Sequence, residues 1–124
     1  MSGRTKVYWV LTVLAALALL AGGFANVTLQ EPIVESMKKL GYPLYFPRIL
    51  GAWKLLAVVA LLAPGFPRVK EWAYAGVTFA MTGAFISHIA AGDPVATWFP
   101  PLVVLALALG SYALRPADRR LDRA

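Results

Sequence analysis

Two side chains with chemistry to offer stand inside stretches that otherwise offer little. Lys54 interrupts "LGAWKLLAVVALLAPG" (50–65), and His88 interrupts "MTGAFISHIAAGDP" (81–94). An ammonium and an imidazole in apolar surroundings can hold an anion or a hydrogen-bond acceptor, and an imidazole that titrates near neutrality can shuttle a proton. Ser87 and Asp93 flank the histidine as hydrogen-bonding partners for its ring. Glu31 and Glu35 are the remaining carboxylates that the topology below puts on the same side. The candidate ligand-binding set is therefore Lys54, His88, Glu31, Glu35, Ser87 and Asp93.

Other chemistries are poorly supplied. There is one histidine and no cysteine, too few nitrogen and sulfur ligands for a metal. Bis-histidine haem ligation would need two subunits to share the ring. Without cysteine there is no disulfide, no thiol redox chemistry and no thiolate site. No Ser-His-Asp arrangement, phosphate loop or nucleotide fingerprint is present. Acid-base work by Lys54 and His88 lacks an identifiable substrate or nucleophile. No catalytic residue is assigned, and no independent enzymatic activity is expected.

The elements that must position these residues are set by hydropathy. The chain has 124 residues, 60% of them apolar and 15% charged. A soluble domain runs nearer a half and a quarter, and a domain of this size has too little interior to hide such an excess. The length suits a single domain over 1–124. The apolar residues fall in long runs, which predicts an integral membrane protein. The formal charge of +6 invites a nucleic-acid reading, but the basic residues cluster at the chain ends and in one hairpin. No nucleic-acid partner is expected from that distribution.

A helix crossing the bilayer core needs about 20 mostly apolar residues. Four candidates appear at 7–25, 48–63, 72–91 and 94–114, the second of them short. The first follows Arg4 and Lys6 and ends in a small-x-small sequence, as a signal peptide does. Its apolar run exceeds the usual ~7–15 residues of a signal core, so it is expected to remain as a span. With four spans, one side of the membrane carries Arg4, Lys6, Arg68, Lys70, Arg115, Arg119, Arg120 and Arg123, and the other Lys38, Lys39 and Arg48. That imbalance predicts both termini in the cytoplasm. Trp9, Trp72, Tyr74, Trp98 and Tyr112 lie near span ends, where interfacial anchors sit.

The first outer connection, 26–47, is long for a compact bundle. Within it "EPIVESMKKLGYP" carries helix signals: Pro32 suits a first turn, and Gly41 then Pro43 a stop. Ile33, Met37 and Leu40 share one face, which predicts a short amphipathic helix lying apolar side down on the outer surface. The fold class expected is all-α, a four-helix transmembrane bundle with this helix in the first outer loop. It either covers the bundle or acts as a lid.

Small residues recur at helical spacing: Ala18 and Gly22; Gly76, Ala80 and Ala84; Gly83, Ser87 and Ala91. Such rows let helices approach closely in lipid, and are expected chiefly to pack the bundle. Pro100-Pro101, inside the fourth span, either kinks that helix or ends a short entering one. Lys54, six residues below Arg48, sits about 9 Å down its helix. His88 is near the outer end of the next span, so the two are expected at a similar depth. Gly51 and Ala57 share the face of Lys54 and suggest a helix contact there. Lys54 turns inward to a partner or snorkels to the outer headgroups; intramembrane charges usually face the interior.

Taken together, "KKLGYPLYFPRILGAWKLLAVVALLAP" (38–64), "VKEWAYAGVTFAMTGAFISHIAAGDP" (69–94) and the four-span plan resemble the DoxX-like family of small bacterial membrane proteins. The block Lys70–Gly76, the pair Gly51 and Lys54, and the segment from Ser87-His88 to Gly92-Asp93 carry the resemblance. It implies a four-helix bundle in the bacterial cytoplasmic (inner) membrane. The family name comes from a small subunit of an archaeal thiosulfate:quinone oxidoreductase, and some relatives are linked to membrane redox complexes. The resemblance thus makes a redox partner subunit a candidate; the cofactor is left open, with quinone one candidate and no metal expected. Most members have no assigned reaction, and the absence of cysteine speaks against independent thiol chemistry here. Glu71, in the shared block, is expected to interact with the N-terminus of its helix.

The function expected is a ligand-binding or accessory membrane protein. Its outer-leaflet pocket around Lys54 and His88 would take a quinone-like ring or an anionic lipid headgroup. The rivals are an assembly subunit with no site of its own and a small proton-coupled transporter; no convincing inverted repeat supports the latter. The small-residue rows also allow a homodimer.

Overall fold

The computed structural model describes residues 2–120; Met1 and residues 121–124, with Arg123 of the terminal-side count, lie outside the described residues. Five α-helices follow one another: α1 (Gly3–Val27), α2 (Glu31–Leu40), α3 (Tyr45–Leu62), α4 (Pro67–Ala90) and α5 (Val95–Ala113). A 3₁₀ turn, Ala117–Arg119, follows. There is no strand among the described residues. α1, α3, α4 and α5 are long and apolar enough to cross a membrane. Their outer faces expose Leu17, Leu56, Val59, Phe79 and Ile86. Apolar surface on that scale is compatible with lipid, not water, and the protein is a multi-pass membrane protein.

The helices begin and end where local chemistry permits. Ser2 caps α1 by accepting from the Thr5 amide at 3.1 Å, which satisfies one of the free donors of the first turn. Gly41 closes α2 at φ 84°, a conformation open to glycine without a Cβ penalty. The four spans reach a few residues beyond or short of the apolar runs, because hydrogen bonding continues into polar flanks. α2 occupies 31–40 as expected, with Met37 buried and Ile33, Ser36 and Leu40 half-buried. α5 runs through both Pro100 and Pro101 as one helix.

α1 is the central element and packs against α3 and α5. Against α3 it meets glycine with glycine: a Cβ at Gly51 would lie 2.7 Å from the Gly23 carbonyl oxygen and 2.7 Å from Val27 Cγ2. Close backbone approach of this kind is how helices associate in lipid. Leu19, Leu61, Ala73, Tyr74, Val77, Met81 and Ala108 form the apolar core. The rows proposed for bundle packing behave differently. A Cβ at Gly76 or Gly83 would meet nothing within 4 Å, whereas Ala80 packs against the core.

The terminal side is tied by polar contacts. Tyr74 Oη and Thr12 Oγ1 lie 2.7 and 2.6 Å from Ser111 Oγ, and Thr12 donates to the Tyr8 carbonyl at 2.7 Å. Tyr74 is thus buried in the core and is not an interfacial anchor: its hydroxyl is spent on Ser111 and its ring packs edge-on against Tyr112. Lys70, only 2% exposed, donates to the carbonyls of Ala63 and Gly65. Arg119 donates to Leu61 O at 2.6 Å and to Tyr8 Oη at 2.7 Å. Both cations therefore sit at the C-terminal end of α3, where unpaired carbonyls and the helix dipole favour positive charge. Glu71 pairs with Arg115, a partner beyond the helix N-terminus expected for it.

Candidate functional site

On the opposite side, four helices and α2 enclose a cavity of about 460 Å³, within the size range of small-molecule sites. Lys54 of α3, Asn26 of α1, and Ser87 and His88 of α4 line it. Ile33 and Met37 of α2 form its roof, and Pro100 and Pro101 of α5 part of its wall. Proline at these positions removes backbone donors from the cavity wall.

The ammonium of Lys54 donates to Asn26 Oδ1 at 2.9 Å. Asn26 is itself 5% exposed. Gly22, one turn earlier on α1, makes room: a Cβ there would stand 3.5 Å from Lys54 Nζ. The lysine is therefore directed at a neighbouring helix. The contact suggested beside it is real, since Gly51 is buried against α1.

His88 is held by the last hairpin. Its Nδ1 lies 2.6 Å from Asp93 Oδ2, and the other carboxylate oxygen pairs with Lys39 of α2. Gly92, at φ 74°, makes the turn that brings Asp93 back towards the ring. The hydrogen bond from Lys39 and then that from His88 hold the Asp93 carboxyl below the usual carboxylate range. Ser87 Oγ lies 3.1 Å from Tyr42 Oη. The end of α2 and the residues after it are thus fastened to the C-terminal end of α4 and the turn after it at two points.

The structure brings Lys54, Ser87 and His88 onto one cavity and sets Asp93 behind the histidine, outside the lining. It does not bring in Glu31 and Glu35, which are exposed on the far face of α2. Lys54 and His88 both line this cavity; Lys54 reaches the last turn of α1 through Asn26, and His88 stands in the last turn of α4.

Asn26, Lys39 and Tyr42 were not among the residues expected. Asn26 is the only asparagine in the chain and stands one residue past the first apolar run, four after Gly22. That spacing was its signal; a loop position masked it. Lys39 and Tyr42 had none, because their partners are set by how α2 lies on the bundle.

The family model described as DoxX-like family matches residues 10–111, which take in every cavity residue named here. No curated protein and no solved structure matches the chain.

Proposed function

Because the chain belongs to the DoxX-like family and crosses the membrane with four apolar helices, we propose that it is a ligand-binding protein of the inner membrane. In this reading both termini are cytoplasmic, α2 is an outer lid, and a redox partner subunit takes over or supplies the ligand. The observation that carries the proposal is the single cavity on which Lys54, Ser87 and His88 converge beneath α2. Its walls are apolar, and its polar groups stand at two ends. A quinone-like ring, or an anionic head with an apolar body, matches that distribution. With Nδ1 engaged by Asp93, the imidazole keeps Nε2 for a ligand or a proton.

The test is calorimetric titration of the purified protein with a short-chain quinone and, separately, with hexanoate. Saturable binding of either, weakened at least tenfold by both Lys54→Met and His88→Ala, is expected. Binding untouched by both substitutions would overturn the proposal.

A further inference from the structure

A second cavity of about 470 Å³ runs between α3 and α4. It extends from Val69 to Met81 on α4, twelve residues or about 18 Å of helix. Trp53 and Trp72 stand on its rim, 63% and 65% exposed. Gly76 leaves it unobstructed. Among the described residues Lys54 is the one charged residue lining it. The groove opens sideways between two membrane spans.

The groove and the cavity under α2 meet at one layer of side chains. Leu19, Leu50, Lys54, Ala80 and Met81 line both. Four of these, Leu19, Leu50, Lys54 and Met81, are long and unbranched at Cβ, so rotamer changes can join the two spaces. Lys54 is thus an ammonium at the head of an apolar trough. Among the described residues it meets one neutral acceptor, Asn26, and no carboxylate. A half-buried intramembrane cation in that state calls for an anion.

Resting on the ligand-binding reading above, we infer that the ligand is a single-chain membrane amphiphile with a carboxylate head, entering from the bilayer. One carboxylate oxygen accepts from Lys54 Nζ and the other from the side-chain amide of Asn26. The apolar chain lies along α4 in the groove, over Gly76 and between Trp53 and Trp72. One ammonium beside one neutral amide suits a single negative charge, and a lateral slot between two spans suits one chain. The roof of α2 then closes over the head and not over the whole ligand.

The test uses the full chain with Trp9→Phe and Trp98→Phe, so that fluorescence comes from Trp53 and Trp72 alone. It is titrated in phosphatidylcholine vesicles with 9,10-dibromostearate, whose bromines quench tryptophan on contact. Saturable quenching that stearate displaces is expected, with hexanoate at least a hundredfold weaker. Lys54→Met should weaken binding at least tenfold and Lys54→Arg should restore most of it. Gly76→Leu, which fills open space, should abolish quenching while helical circular dichroism is unchanged. If hexanoate binds as well as stearate, or Gly76→Leu has no effect, the groove assignment falls and the cavity site stands. If a quinone binds but no carboxylate does, the inference falls and the ligand-binding reading stands. If nothing binds, both fall.

Discussion

Lys54 Nζ donates to Asn26 Oδ1 at 2.9 Å, joining the middle of α3 to the last turn of α1. This bond fixes where the ammonium points and, among the described residues, gives the intramembrane charge its one side-chain partner. It predicts a specific coupling between the two residues. Asn26→Leu and Lys54→Met should each lower stability, and the double variant should lose less than the sum. Interhelical hydrogen bonds in membranes are worth about 0.6 kcal/mol, up to about 1.7, and the cycle should return a value in that span when unfolding in mixed micelles is followed by circular dichroism. Strict additivity would show that the bond carries no energy.

Two glycines in the bundle should respond oppositely to alanine. At Gly51 the new methyl would stand 2.7 Å from the Gly23 carbonyl, against backbone that cannot step aside. Gly51→Ala should destabilise by about 1–3 kcal/mol or more, as overpacking does. At Gly76 the methyl meets open space, and Gly76→Ala should stay within about 0.5 kcal/mol of the parent. Thermal unfolding of the two variants side by side checks both.

The seat of α2 on α4 should be insensitive to pH until strongly acid conditions. Asp93 has its carboxyl pulled down by Lys39 and His88. A group depressed in the folded state stabilises above its unfolded value and loses that contribution as pH falls through its folded one. Hydrogen-exchange protection of α2 should therefore be level from pH 8 to 5 and fall only below about pH 4, beneath the ordinary carboxylate value. Asp93→Asn should lower that protection at every pH. A loss of protection already between pH 7 and 5 in the parent would contradict the assignment.

Orientation is checked directly because the chain has no cysteine. In intact cells a membrane-impermeant maleimide should label Lys38→Cys from outside. It should label Ser2→Cys and Arg68→Cys only after permeabilisation, as the excess of Lys and Arg on the terminal side requires. The reverse pattern would invert the topology.

Much of this molecule is legible in the amino-acid order alone. Four apolar runs specify four spans, since lipid requires each backbone segment to satisfy its own hydrogen bonds. The heptapeptide spacing of Ile33, Met37 and Leu40, with Gly41 after it, is enough to place α2, because the helix period and the stop signal are local. The intramembrane Lys54 stands out for its charge and His88 for its uniqueness, both before any packing is known. The contact of His88 with Asp93, five residues on, was legible too; the contacts made across the bundle were not. Asn26 meets Lys54 across 28 positions, and Lys39 meets Asp93 across 54, distances that only the docking of α1, α2, α3 and α4 can close.

The sequence by itself determined membrane insertion, helix number and the candidate cation and imidazole, because hydropathy and helix periodicity act over a few turns. Only the tertiary structure decided that Gly51 seats α3 on α1, that α3 and α4 part to leave a groove, and that Glu31 and Glu35 face away. Those outcomes depend on the rotation and depth of each helix against its neighbours, which side-chain packing sets and no local pattern encodes.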